Sequence, residues 1–358
     1  MCYKPEEFFI KDIQNNISLS RNEFLLQLNK LIFFLNKKKI NNCDVYILDV
    51  KKNIVFYLYF FALLFYGKKI ILNAKINKKK IKLNFTKICT LKENSILVNS
   101  RKFYYNALTK EKKVKIKYKN LNPKSIILTF SSGTTNSPKI IIQNLSKLIG
   151  NGKMFSKHIG LNKKNVFLNI LPINYMGGYY NSLILSFIND SKLILFDKIN
   201  VNFINEIEEI IKADKIDTLW STPSIANFIT DRKLINFKKN IKNFLIGMDY
   251  VPNSLKKKIW SNYHIKALAS YGMSETSFIA SEKKKSCIGN VGFILNRVKV
   301  KIDKNIDKNK GEILVKTPYL QKCSENKLYK GWFKTGDIGK IHSDMSLSIL
   351  GRKKDVII

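Results

Sequence analysis

Several things are scarce in these 358 residues, and each scarcity closes off a class of chemistry. There are five cysteines (Cys2, Cys43, Cys89, Cys287 and Cys323), an odd number with no C-x-x-C pair. Neither a disulfide framework nor a structural zinc site fits that pattern. The three histidines, His158, His264 and His342, stand isolated, which argues against a His-built metal site or a catalytic triad. Acidic residues number 26 against 64 Lys and Arg, a formal charge of +38. Two readings fit that excess: a polyanion partner, or compositional drift in which Lys, Asn and Ile rise together. The lysines lie scattered in short clusters such as Lys37–Lys39 and Lys78–Lys80, with no aromatic-interleaved basic stripe. Drift is therefore favoured, and nucleic acid is not an expected partner.

Long apolar runs are missing too. The most apolar stretch, Ile54 to Tyr66 (IVFYLYFFALLFY), is too short for the roughly 20 residues of a membrane span. It reads as a buried helix stopped by Gly67, with membrane insertion as the alternative. The N-terminal MCYKPEEFFIKD is charged from Lys4 onward and lacks a secretion leader pattern, so the cytoplasm is the expected compartment and a membrane is not an expected partner.

What is present is the alternation of an α/β protein. Ser18 or Ser20 is placed to cap a helix through NEFLLQLNKLIFFLNK, whose Phe24, Leu25, Leu28, Leu31 and Ile32 share a face. DVYILDV (44–50) is a β-branched run suited to a buried strand, followed by the helix at 54–66 and the strand KKIILNA. The order returns with VFLNIL, GGYYNSLILSFIND, SKLILF, INEIEEIIKADK and IDTLWS, then a helix after Pro223 and the strands KNFLIGM and IKALASYG. Such alternation predicts two α/β subdomains with helices on the faces of mainly parallel sheets, spanning 1–285 with an internal boundary near 120–165. From about residue 286 to 350 the texture becomes short alternating strands (VGFILNRVKVKID, GEILVKT, LSILGR), predicting a smaller antiparallel β-rich subdomain.

The strand expected at Ser125–Phe130 runs into SSGTTNSPKI: Ser131, Ser132, Gly133, Thr134, Thr135, Asn136, Ser137, Pro138, Lys139. This is neither a Walker loop nor a dinucleotide G-x-G-x-x-G. Its physics is nonetheless that of a phosphate cradle, because glycine permits close backbone approach, hydroxyls and amides donate, and an ammonium closes the segment. Alone, such a Ser/Thr cluster is more commonly a solvated turn.

Three further blocks occur downstream: SYGMSET (270–276), GWFKTGDIG (331–339) and GRKKDVII (351–358). Together with SSGTTNSPKI they resemble, in order, the signatures S/T-S-G-S/T-T-G-x-P-K-G, Y-G-x-T-E, Y/W-x-T-G-D and G-R-x-D/K-D/E of the adenylate-forming superfamily. That superfamily comprises acyl- and aryl-CoA ligases, luciferase and peptide-synthetase adenylation domains. LPINYMGG, TLWSTPS and GEILVK are weaker echoes, so the resemblance runs over almost the whole chain. Asn136 and Ile140 replace glycines of the first signature; Asn tolerates positive φ, whereas Ile at 140 changes the loop's freedom.

The resemblance implies ATP-dependent activation of a carboxylic acid as acyl-adenylate with loss of pyrophosphate, then transfer to coenzyme A or a carrier protein's phosphopantetheine. It assigns Ser131, Ser132, Gly133, Thr134, Thr135 and Lys139 to the β- and γ-phosphates, with Thr134, Lys139, Ser274 and Glu275 as the catalytic group. Tyr271 is expected to stack on adenine, Ser274 to bond the α-phosphate and Glu275 to hold Mg²⁺. Asp337 and Arg352 are expected at the ribose. Tyr175, Gly247 and Met273 are expected to wall the acid pocket, although a plain core role fits them as well. In this family a further small domain with a catalytic lysine follows the hinge block, here 351–358. That domain is not expected within these 358 residues, and three readings fit: a fragment of a longer polypeptide, a separate C-terminal domain protein as partner, or a natural short form; an acyl carrier protein is the other expected partner. A catalytically weak or inactive nucleotide-binding paralogue is the alternative reading.

Overall fold

The computed structural model describes residues 9–72, 85–99, 101–106, 120–131, 139–197, 203–283, 291–307, 310–324 and 328–355. Local signals set the main elements. Helix Arg21–Lys37 starts at Ser20, whose hydroxyl accepts from the Glu23 N–H while the Glu23 carboxylate accepts from the Ser20 N–H. This reciprocal capping box satisfies two otherwise orphaned donors. Helix Ile54–Phe65 is capped by Asn53 and ends at Tyr66, before Gly67 at φ +76°. The buried carboxylate of Asp12 also accepts the Ile54 N–H, at 2.9 Å. All but one residue of this helix is buried, in a cluster where Phe61 meets Phe24 and Phe187. The apolar run is thus core, and among the described residues no helix is long and apolar enough to cross a membrane.

Two sheets form the frame, a mixed α/β architecture. In the larger, parallel strands lie in the spatial order Ile10–Asp12, Lys192–Leu195, Val166–Asn169, Thr218–Ser221, Asn243–Ile246 and Ala267–Met273. The antiparallel stretch then continues the same sheet through Ser277–Ser281, Gly292–Ile294, Ser346–Arg352, Trp332–Ile341, Lys310–Lys316 and Lys299–Asp307. The β-rich stretch is therefore hydrogen-bonded to the parallel sheet. Residues 284–290, which hold the expected boundary, lie outside the described residues.

The second sheet differs from the mainly parallel one expected. Its middle, built from Ile88–Lys92, Val45–Leu48, Lys69–Ile71 and Ile126–Ser131, is parallel. Both margins are antiparallel: Ser95–Val98 with Arg101–Tyr104 on one side, Lys139–Asn144 with Lys322–Cys323 on the other. Short connections such as Glu93–Asn94 leave room for a hairpin, whereas a parallel crossover needs a dozen residues or more.

Candidate active site

Residues of all four sequence blocks line one cleft, Lys139 from the smaller sheet and the rest from the larger one and its ends. Ser131 and Lys139 are register partners at the ends of adjacent antiparallel strands, which fixes both ends of the hydroxyl-rich segment. Ser132, Gly133, Thr134 and Thr135 lie outside the described residues. Lys139 faces a cleft of about 990 Å³.

The second block comes from strand Ala267–Met273, the last parallel strand, which is bulged between Tyr271 and Gly272. A side chain on Gly272 would bring its Cβ to 2.3 Å from the Ser277 carbonyl oxygen, so the tight return needs glycine. Beyond it Met273, Ser274 and Glu275 line the cleft, with Glu275 buried. Two glutamines pin this turn. Gln143 Nε2 donates to the Ser274 carbonyl at 3.1 Å, and the Gln321 N–H donates to the Glu275 carbonyl at 2.7 Å. Gln321 also accepts from the Asn144 N–H at 2.8 Å.

The last two blocks are neighbouring strands. Asp337 and Arg352 are cross-strand partners, and the guanidinium lies 3.0 Å from Asp337 Oδ1. The other oxygen accepts the Tyr271 hydroxyl at 2.6 Å. Asp337 is only 4% exposed, while the Arg352 side chain is about half exposed, so the buried carboxylate takes two charge-assisted bonds, one of them from a solvent-facing guanidinium. Burial, with the Asp337 negative charge beside it, pushes the Tyr271 hydroxyl well above the ordinary tyrosine range and keeps it a neutral donor. Thr335 supports Asp337 from behind, since its Oγ1 accepts the Asp337 N–H at 3.0 Å. Arg352 reaches the cleft, as do Thr335 and Lys353; the Lys353 ammonium is held by Glu312 at 2.9 Å.

The opposite wall is apolar. Tyr175, 63% exposed at the rim, precedes the short helix Met176–Gly178, which runs into a π-helical turn, Tyr179–Ile184. Gly247 also borders the cleft, beneath Trp220. Trp220, Phe278 and Tyr180 form a stacked floor, with ring centroids 5.5 and 5.2 Å apart. Of the residues predicted from sequence, Lys139, Ser274, Glu275, Arg352, Gly247 and Met273 thus share one cleft, with Tyr175 at its rim. Tyr271 and Asp337 are joined to it through Arg352. Gln143, Thr335, Trp220 and Asn181 are site residues that the sequence reading does not single out. A polar residue inside an apolar run, as in KIIIQN and GGYYNSL, is the available signal for Gln143 and Asn181.

This arrangement has recognisable company. The sequence profile described as AMP-binding enzyme matches residues 61–323. The chain belongs to the AMP-binding enzyme family. A 2-succinylbenzoate–CoA ligase of Lactococcus lactis is 30% identical over 162 residues, 43% of this chain and 34% of the ligase. The chain thus aligns with about a third of the length of such curated relatives. The O-succinylbenzoate coenzyme A synthetase of Bacillus subtilis in complex with AMP superposes with a TM-score of 0.80 at 18% identity, over 98% of this chain and 96% of that one. The same synthetase with ATP and magnesium ion gives 0.79 at 18%, over 99% and 78%. At that identity the likeness establishes the fold of this AMP-binding family member.

Proposed function

We propose that this AMP-binding enzyme activates a small carboxylic acid with ATP, forming an acyl-adenylate and pyrophosphate, and that the acyl group then passes to the thiol of coenzyme A. The observation that carries this reading is the Tyr271–Asp337–Arg352 cluster, hydrogen-bonded together at the edge of the cleft lined by Lys139, Ser274 and Glu275. One end offers a buried carboxylate for ribose hydroxyls. The other end offers an ammonium and a hydroxyl for phosphates.

The chemistry needs no general base. A carboxylic acid with a pKa near 4.3 is already ionised at neutral pH. One carboxylate oxygen bonds to the α-phosphorus, and the bond from that phosphorus to the pyrophosphate oxygen breaks. What remains is to hold the reactants in line and to balance charge on the phosphates. Lys139 supplies positive charge, and Ser274 is the hydroxyl assigned to the α-phosphate. Mg²⁺ binds through one or two carboxylates plus substrate phosphates and water. Glu275, the sole carboxylate among the described cleft-lining residues, fits that demand, and those residues contain no ready-made cluster of three ligands. When bound, the ion would neutralise phosphate charge. This reading places the reaction in the cytoplasm.

The test is carboxylate-dependent pyrophosphate–ATP exchange over a panel of acids. Glu275→Ala is expected to abolish exchange while the folded protein persists. Undiminished exchange in folded Glu275→Ala protein would overturn the assignment.

A further inference from the structure

The wall of the cleft away from the nucleotide blocks contains a polar side chain with no hydrogen-bond partner among the described residues. Asn181 lies on the π-helical turn Tyr179–Ile184, is 5% exposed and lines the cleft. Among the described residues its side-chain amide makes no hydrogen bond, whereas its neighbour Tyr180 satisfies its hydroxyl on Asn151 and the Leu148 carbonyl. Nearby, the Trp220 indole N–H is buried with no acceptor among the described residues. The Asn181 amide is not sealed in the same way but opens to the cleft, and π-helical turns recur at functional positions. The surrounding surface is the aromatic floor of Trp220, Phe278 and Tyr180.

We propose that Asn181 reads a neutral oxygen on the acid, and that the substrate is an aryl monocarboxylic acid carrying a hydroxyl or carbonyl group at its far end. This rests on the acid-activating reading above. The aromatic lining suits an aromatic body, and the amide can donate to or accept from such an oxygen.

Charge excludes the neighbouring classes. The charged residues lining the cleft are Lys139, Glu275, Arg352, Lys353 and Lys354, all within the nucleotide blocks. Lys52, which does not line the cleft, is buried with its ammonium on the Leu171 carbonyl at 3.4 Å. A second carboxylate or an ammonium on the acid would therefore enter an apolar wall with no counter-charge. In this respect the pocket is unlike one built for a dicarboxylate such as 2-succinylbenzoate, the acid after which its ligase relatives are named.

The experiment compares 3-phenylpropanoate, 3-(4-hydroxyphenyl)propanoate and 3-(4-carboxyphenyl)propanoate in pyrophosphate exchange and in calorimetric binding with AMP present. In the native protein the hydroxylated acid is expected to lead the unsubstituted one by about tenfold, with the dicarboxylate weakest. Asn181→Leu should invert the first preference and leave ATP affinity unchanged, which also shows that the variant is folded. Asn181→Ala, a smaller change, should erase the preference. A preference unaltered by both variants, or a dicarboxylate bound best, would overturn the role of Asn181 while acid activation stands. Failure of every acid, together with failure to bind ATP, would bring down the underlying reading as well.

Discussion

Replacing Asp337 by asparagine tests the proposed ribose contact most directly. The carboxylate is 4% exposed and bridges the Tyr271 hydroxyl at 2.6 Å and the Arg352 guanidinium at 3.0 Å. An asparagine is the same shape. Its oxygen can stay on Arg352, while its NH₂ faces the Tyr271 hydroxyl, which can rotate and accept. The fold should survive at a cost of about 1–3 kcal/mol. Nucleotide binding should suffer more. A hydrogen bond to a charged group is worth roughly 1.5–3 kcal/mol, and a ribose diol offers two. Losing the charge is then expected to cost about 3 kcal/mol, or about a hundredfold in the Kd for ATP. The assay is equilibrium titration with ATP and with 2′,3′-dideoxy-ATP, for both native and Asp337→Asn protein. Native protein should prefer ATP, and the variant should bind both analogues with the same weak affinity, because the penalty arises from a contact that dideoxy-ATP cannot make. Equal native affinities for the two nucleotides, or an unchanged Kd in the variant, would refute the ribose assignment.

Other perturbations should act on stability. Lys52 is buried, and burial lowers its pKa from 10.5 to about 8, so the folded state bears a penalty of roughly 3 kcal/mol below pH 8 that disappears as pH rises through 10.5. Lys52→Met should therefore raise denaturant stability at pH 7 by roughly 1–3 kcal/mol once the lost Leu171 contact is counted, with the gain shrinking above pH 8. Lys256 and Glu282 form an ion pair at 2.9 Å with both side chains 4% exposed; Lys256→Met should destabilise by about 3–5 kcal/mol, and adding Glu282→Gln should recover part of it in chemical denaturation. A Cβ on Gly178 would lie 2.1 Å from the Pro172 carbonyl oxygen, so Gly178→Ala should cost at least about 1–3 kcal/mol by overpacking and should lower acid-dependent exchange while sparing ATP affinity.

Local features made much of this legible. Ser20 and Glu23 announce a helix start, and the buried strands Val45–Leu48 and Asn243–Ile246 read as apolar runs. The motif residues that line the cleft were also visible, because they fall in short blocks of fixed spacing. Less legible were elements set by distant partners. Lys139–Asn144 becomes a strand by pairing with Ile126–Ser131 on one side and with Lys322–Cys323, far along the chain, on the other. Arg101–Tyr104 is mostly exposed and carries no alternation to announce it. GGYYNSLILSFIND reads as a helix, but no local propensity marks its π-helical turn or shows that Asn181 would face a cleft.

Gln143 is fully buried on strand Lys139–Asn144. Its NH₂ holds the Ser274 carbonyl, and its oxygen receives the Tyr179 hydroxyl at the start of the π-helical turn. A carboxamide has only one face of each kind, so this peg fits its socket in a single orientation. Strand Lys139–Asn144, the turn bearing Ser274 and Glu275, and the π-helical wall of the cleft are thereby keyed to one another, so that sliding any one of them would break a bond to the peg.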